Sequence, residues 1–156
     1  MKVLFRTDAS PIIGTGHLVR CLTLAEELRC HGGDVSFICR THDGHYCDLV
    51  EKHRFCLYKL TSQPATSSAL NNNSYDSWLG VPWEIDAAET LNVVTKIAEP
   101  VDWLIVDHYA IDQRWERRLQ SAVNSIFVID DLANRQHQCD LLLDQNLTGS
   151  MKSKYT

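Results

Sequence analysis

The sequence lacks several features that would place it in whole classes of protein. No apolar run approaches the roughly 18 residues that a bilayer-spanning helix needs. A signal peptide is also missing, because Arg6 and Asp8 interrupt the first apolar residues. Lysine and arginine number 15 against 20 acidic residues, and the net charge is −5, whereas nucleic-acid-binding surfaces need clustered basic side chains. We therefore expect a cytoplasmic monomer that binds neither membrane nor nucleic acid.

Paired cysteines are missing too. The six cysteines include no C-x-x-C pair, and most lie within apolar patterns, so we interpret them as small buried hydrophobic residues. The arrangement closest to a metal site is His42, His45 and Cys47, spaced H-x-x-H-x-C. It has no obvious fourth ligand and no second half of a zinc motif. We expect no metal and no cofactor, with this cluster as the alternative.

The sequence does contain strands that alternate with helices. Apolar runs predict strands at 2–7, 35–39, 55–60, 101–107, 125–130 and 140–144. Helical spacing predicts helices from residue 16 to the Gly32-Gly33 stop and over about 45–53, 83–98 and 114–123. Between them, 61–82 loses its apolar period and is expected to be a long loop. The predicted fold class is α/β, with a mainly parallel, doubly wound sheet.

Three of the predicted strands end in ionisable side chains. Asp8 follows the first strand, with His17 just beyond it. Asp107-His108-Tyr109 ends the fourth strand, and Asp130-Asp131 ends the fifth. Parallel strands deliver their carboxyl ends to one edge, where open α/β sheets bind ligands. Each cluster alone has an ordinary structural explanation, such as a helix cap, a strand end or a turn, but their convergence predicts an active site.

A glycine-framed turn precedes the first helix. Gly14 and Gly16 would let a ligand approach the backbone closely, and the helix N-terminus favours anions. Val19 stands where the dinucleotide-binding fingerprint G-x-G-x-x-G has its third glycine, so the segment is not that fingerprint. A simple turn remains the alternative interpretation.

Five ordered motifs across residues 1–150 resemble one family. They are Arg6-Thr-Asp8-Ala-Ser, Ile13-Gly-Thr-Gly-His17, Val106-Asp-His-Tyr109, Ile129-Asp-Asp-Leu-Ala133 and Cys139-Asp-Leu-Leu-Leu-Asp-Gln-Asn146. In this order they resemble the N-terminal half of the UDP-2,4-diacetamido-2,4,6-trideoxy-β-L-altropyranose hydrolases of pseudaminic acid biosynthesis. The resemblance implies a glycosyltransferase-B architecture, in which two Rossmann-like domains enclose a cleft. It also implies that the C-terminal domain holds most of the nucleotide diphosphate.

The resemblance further implies a UDP-sugar as substrate, hydrolysed by water attack at the anomeric carbon with inversion. It gives His17 as the general base and Tyr109 as a second catalytic-site residue. To this we add our own inference that Asp8 orients the imidazole of His17. The candidate substrate-binding residues at the predicted edge are Arg6, Asp8, Gly14, Gly16, Asp107, His108, Asp130 and Asp131.

Two other functions stay open at this point. One is a UDP-sugar glycosyltransferase of the same fold, in which the His17 edge activates an acceptor hydroxyl. The other is a non-catalytic domain that binds a sugar or a partner. The chain ends at Thr156, where the family continues into its second domain. We therefore expect residues 1–156 to be the N-terminal Rossmann-like domain, without the C-terminal nucleotide-binding domain, and to hydrolyse scarcely anything alone.

Overall fold

A single parallel sheet organises the computed structural model, which describes residues 1–62 and 75–146. Its strands are β1 Lys2–Thr7, β2 Asp34–Thr41, β3 Cys56–Thr61, β4 Trp103–Asp107, β5 Ser125–Ile129 and β6 Leu141–Leu143. The helices are α1 Gly16–Cys30, α2 Cys47–Lys52, α3 Trp83–Lys96 and α4 Gln113–Leu119, with a 3₁₀ helix at Tyr75–Leu79. The strand order β3-β2-β1-β4-β5-β6 reverses direction between β1 and β4, as in Rossmann-like folds. The predicted parallel, doubly wound sheet is confirmed.

Helices cover the sheet from both sides. One core cluster joins Phe5 and Phe37 of the sheet to Leu18 of α1. The other joins Leu4 to Trp115 of α4 on the opposite side. Neighbouring residues of a strand point to opposite faces, so both Leu4 and Phe5 are buried. This double coverage explains why the centre of β1, residues 3–5, is continuously apolar instead of alternating.

Helical spacing in 83–98 predicts a buried stripe of Ile85, Ala88, Leu91, Val94 and Ile97. The buried side of α3 differs from this stripe. The residues of α3 that are buried are Asp86, Ala87, Thr90 and Val94. The helix is turned so that the Asp86 carboxylate reaches buried donors on other elements. The apolar periodicity of the helix leaves Asp86 outside the buried stripe. Its burial depends on contacts with residues far away in sequence, which periodicity does not report.

Two other predictions need correction. Helix α4 ends at Leu119 instead of continuing to Val123, because the Asn124 amide donates to the Val101 carbonyl at 2.9 Å as the chain enters β5. Among the cysteines, Cys30 and Cys56 are exposed. The interpretation as buried hydrophobic residues holds for those that are enclosed, which are Cys21, Cys39 and Cys47.

The predicted loop 61–82 is described only in part. Residues 63–74 of it lie outside the described residues. Its later part is not irregular, since Tyr75–Leu79 form the 3₁₀ helix and the Leu79 side chain is buried in the core. Within 1–62 and 75–146, no helix combines the length and the apolar character that crossing a membrane requires.

Candidate active site

The three strands predicted to end in ionisable clusters are neighbours in the sheet. Strand β4 lies between β1 and β5. Thr7 pairs with Asp107, and Val106 pairs with Val128, so the three strands end at nearly the same level. The predicted convergence at the carboxyl edge of the sheet is therefore confirmed.

His17 and Asp107 form a hydrogen-bonded pair at this edge. His17 Nδ1 lies 2.6 Å from Asp107 Oδ1, and both side chains are buried. An ionised carboxylate can only accept, so Nδ1 carries a proton, and in the neutral form of the ring Nε2 is the nitrogen with the lone pair. Arg20 Nη2 also lies 3.1 Å from Nδ1, but the shorter contact with the carboxylate fixes this tautomer. Asp107, and not Asp8, orients the imidazole, which corrects our inference from the sequence.

Arg20 keeps Asp107 ionised. Its Nε donates to Asp107 Oδ2, and its Nη2 donates to Oδ1 at 2.5 Å. Burial raises the pKa of Asp107, but the hydrogen bonds from Arg20 and His17 outweigh burial and hold the pKa below its usual range. The carboxylate is thus negative at neutral pH, and it lies against the imidazole of His17.

Tyr109 packs directly on the imidazole. The two rings meet edge to face with centroids 4.4 Å apart. The Tyr109 hydroxyl donates to Asp131 Oδ1 at 2.5 Å. Burial and this hydrogen bond raise the pKa of Tyr109, so the phenol stays protonated at neutral pH. Tyr109 is therefore suited to donate a hydrogen bond and to position His17, and not to act as a base.

Two aromatic residues beside Tyr109 were not predicted from the sequence. Tyr75 and Trp78 of the 3₁₀ helix contact the Tyr109 ring at centroid distances of 5.0 and 5.8 Å. Trp78 also lies 6.2 Å from the His17 ring. We call Tyr75, Trp78 and Tyr109 the aromatic wall. The available signal was a pair of aromatic residues within an otherwise polar segment.

A buried ion network lies beneath the edge. Arg6 donates to Asp8 Oδ1 at 2.6 Å and to Asp86 Oδ2 at 2.6 Å. Arg40 donates to Asp86 Oδ2 at 2.8 Å, and its backbone amide donates to Asp8 Oδ1 at 2.6 Å. Burial raises the pKa of Asp8, but the Arg6 charge overcomes this effect and holds the pKa well below its usual range. All four side chains are fully buried.

This burial corrects the expectation that Arg6 and Asp8 contact substrate directly. Neither side chain reaches solvent, and each guanidinium or carboxylate group already has charged partners. Their contacts suit a structural role, because Asp8 accepts from the Arg6 side chain of β1 and from the Arg40 backbone amide of β2. The sequence motif correctly brought both residues to this edge, but it could not show that Arg40 and Asp86 would enclose them.

His108 also belongs to the buried network around Asp8. Its Nε2 lies 3.2 Å from Asp8 Oδ2, while its Nδ1 accepts from the Ala110 amide at 3.1 Å. Burial lowers the pKa of His108 despite the neighbouring Asp8 charge, so the ring is neutral at pH 7. His108 is 2% exposed, and the expected direct contact with substrate conflicts with this position.

Asp130 and Asp131 differ in their surroundings. Asp130 is buried, where Oδ1 pairs with Arg135 Nη1 at 2.7 Å and Oδ2 accepts from the Ala133 amide at 2.9 Å. These contacts fix the turn after β5, and the burial argues against direct substrate contact by Asp130. Asp131 is half-buried beside Tyr109 and Arg20, and it faces the site.

The glycine turn leaves the edge open. Gly14 has φ +82°, a conformation that favours glycine, and its amide donates to the Ser10 carbonyl at 2.8 Å. A Cβ placed on Gly14 or on Gly16 would meet nothing within 4 Å. The space that the sequence analysis expected beside this backbone is present, and contact with substrate there stays a prediction.

The alternative metal cluster does not assemble. His42 Nε2 lies 3.1 Å from Asp8 Oδ2, whereas His45 Nδ1 accepts from the Cys47 amide at 3.3 Å. Among the described residues, no group of three His, Cys, Asp or Glu side chains is arranged to hold a metal ion. These side chains serve local hydrogen bonding instead.

Comparison with known proteins agrees with the motifs. No family model matches the chain. One curated relative is the UDP-2,4-diacetamido-2,4,6-trideoxy-β-L-altropyranose hydrolase of Campylobacter jejuni, 30% identical over 148 residues and 94% of this chain. The chain is a homologue of this hydrolase. It spans 42% of the length of that hydrolase. The resemblance recognised from the sequence is thus confirmed.

Solved structures with the glycosyltransferase-B fold match this chain. MurG of Acinetobacter baumannii matches with a TM-score of 0.59 at 11% identity, covering 83% of this chain and 35% of that one. A structure described as LpCGTa in complex with UDP matches with a TM-score of 0.56 at 19% identity, covering 83% and 30%. At these identities the likeness shows the fold alone.

Proposed function

We propose that the protein containing this chain hydrolyses a UDP-linked 2,4-diacetamido-2,4,6-trideoxy sugar to free sugar and UDP. The observation that carries the proposal is the pairing of His17 with Asp107 at the carboxyl edge of the sheet. This pair occurs in a chain that is homologous to a hydrolase named for such a substrate. The same substrate class supports a role in pseudaminic acid biosynthesis.

His17 is the general base in this proposal. Its Nε2 takes a proton from water as the water oxygen bonds to the anomeric carbon. The bond from that carbon to the phosphate oxygen breaks, and its electron pair leaves with UDP. Attack from the face opposite UDP inverts the anomeric centre. A neutral imidazole suits this step, because its unprotonated nitrogen can accept the proton that water loses.

The neighbours of His17 stabilise the charge that develops. Asp107 holds the imidazole through Nδ1 and balances the imidazolium formed when Nε2 is protonated. Arg20 keeps that carboxylate in place. Tyr109 restricts the movement of the His17 ring by its edge-to-face contact. These contacts provide a preorganised base, which is what proton transfer from water requires.

A glycosyltransferase is the second candidate, favoured by the glycosyltransferase-B fold of the structural neighbours. There His17 would take the proton from an acceptor hydroxyl instead of from water. The two functions share the base and the fold and differ only in the nucleophile. An experiment that identifies the nucleophile, water or an acceptor hydroxyl, therefore distinguishes the two functions.

The deciding experiment uses the whole protein that contains this chain and measures UDP release from the UDP-sugar with and without a candidate acceptor. Hydrolysis predicts UDP release without acceptor, and in water enriched in heavy oxygen the label appears on the free sugar and not on UDP. Release only with acceptor would show a transferase. Sugar binding without any release would show a non-catalytic domain. His17→Asn serves as the inactive control.

A further inference from the structure

The aromatic wall combines contact with the catalytic residues and exposure to solvent. Tyr75 and Trp78 meet at a centroid distance of 4.8 Å, and Trp78 stacks on Tyr109 with an angle of 26° between their planes. All three side chains are half-buried, whereas the stacked core rings Phe5 and Phe37 are fully buried. The wall therefore presents apolar surface beside His17 that a ligand could cover.

The position of the wall is fixed from below. Leu79, next to Trp78, is buried in the core. Gly80 follows with φ +69°, and a Cβ there would come within 3.1 Å of the His42 ring. His42 in turn contacts the buried Asp8 carboxylate at 3.1 Å. The 3₁₀ helix is thus held at the edge of the sheet by packing and by the ion network.

We propose that the aromatic wall binds the methyl groups of the sugar and that Trp78 sets the preference for methyl-bearing sugars over ordinary hexoses. The inference rests on the proposed UDP-sugar hydrolysis. A 2,4-diacetamido-2,4,6-trideoxy sugar carries a methyl group at C6 and one on each acetamido group, where an ordinary hexose carries hydroxyls. Half-buried aromatic rings are better matched to methyl groups than to hydroxyls, because a hydroxyl that leaves water there finds no partner.

The kinetic test compares Trp78→Ala with Trp103→Ala. Trp103 is also half-buried, but it begins β4 and lies at the opposite edge of the sheet. Discrimination of a methyl group in an apolar site is worth about 10–200-fold. We expect Trp78→Ala to lower kcat/KM for the diacetamido-trideoxy substrate by about that factor, mainly through KM, and Trp78→Phe to lower it less. The preference over UDP-glucose, which carries hydroxyls at C2, C4 and C6, should fall by the same factor in Trp78→Ala, while Trp103→Ala keeps the wild-type preference.

A binding measurement separates this inference from the proposed function. Saturation-transfer NMR with the free diacetamido-trideoxy sugar, irradiating aromatic protons of the protein, should transfer saturation to the sugar methyl groups. The signal should fall severalfold in Trp78→Ala and persist in Trp103→Ala. Saturation of the methyl groups without any UDP release would overturn the proposed hydrolysis but support methyl binding by the aromatic wall. If Trp78→Ala releases UDP with an unchanged substrate preference and unchanged methyl saturation, methyl binding by the aromatic wall is overturned and the proposed hydrolysis stands.

Discussion

His17 Nδ1 lies 2.6 Å from Asp107 Oδ1, and this contact joins the first helix to the end of the fourth strand. Ninety residues separate the two side chains in sequence. The pairing depends on the adjacency of β1 and β4, which is the point where the strand order reverses. The orientation of the His17 ring is therefore a consequence of the sheet topology.

Replacing Asp107 should impair the base without removing it. In Asp107→Asn we expect kcat to fall by about 10²–10⁴-fold, because an amide can hold the imidazole in the wrong tautomer. Asp102→Asn is the matched control, since Asp102 precedes the same strand at its other end and accepts from the Lys2 amide. Thermal unfolding of both variants checks folding. Equal activity of the two variants would remove Asp107 from the mechanism.

Replacing His17 tests the base itself. His17→Asn should lose about 10²–10⁴-fold in kcat with little change in KM, because the imidazole acts on water and not on the bound sugar. Tyr109→Phe should cost less, since the ring contact with His17 remains and only the hydrogen bond to Asp131 is lost. Steady-state kinetics on the UDP-sugar measure both. A near-normal kcat in His17→Asn would exclude His17 as the base.

Local sequence signals predicted most of the framework. The apolar runs gave the strands because double coverage makes parallel strands continuously hydrophobic. The three charged strand ends met as expected, since parallel strands deliver their carboxyl ends to one edge. The carboxyl edge of the sheet, and the position of His17 at it, could therefore be predicted from the sequence alone.

Partner choice among charged residues could not be predicted in the same way. Asp8 is nearer to His17 in sequence, but Arg6, His42 and His108 occupy its carboxylate. Asp86 lies on a helix whose apolar period assigned it to solvent, yet three donors from distant elements bury it. Such pairings are long-range, and helical or strand periodicity carries no information about them.

Asp86 should contribute strongly to stability. It accepts from Arg6, Arg40 and the Trp115 indole. Its removal takes one carboxylate away from two buried guanidinium groups, which leaves Arg6 with Asp8 and leaves Arg40 with the partly exposed Glu89. We expect Asp86→Ala to lower the free energy of unfolding by about 3–5 kcal/mol. Asp34→Ala is the control, because its ion pair with Lys2 is exposed and should matter little. Urea denaturation compares the two, and similar midpoints would contradict a structural role for the network.

The same network should make the protein sensitive to acid. Burial raises the pKa of Asp86, but the Arg6 charge and its hydrogen bond outweigh burial and lower it. A carboxyl group whose folded pKa lies below the unfolded value of about 3.9 stabilises the protein above that pH. Its contribution is lost as the pH falls further. We expect the unfolding midpoint to drop below about pH 4, and to drop less in Asp86→Ala.

Hydrolysis should survive exhaustive chelation. The carboxylates nearest His17 are already engaged, Asp107 by Arg20 and Asp131 by Tyr109, and fixed hydrogen-bond donors can stabilise the developing charge. The measurement is UDP release before and after treatment with EDTA. Loss of activity that one added divalent ion restores would overturn this expectation and return attention to His42, His45 and Cys47.

The 156-residue chain should bind UDP weakly by itself. The arginines near the edge are paired with carboxylates, Arg6 with Asp8, Arg20 with Asp107 and Arg135 with Asp130. Little positive charge is left there for a diphosphate, and the net charge of −5 repels it. Calorimetric titration of UDP should therefore give a Kd weaker than micromolar. A micromolar or tighter Kd would place the nucleotide site on this chain and contradict the division of labour between two domains.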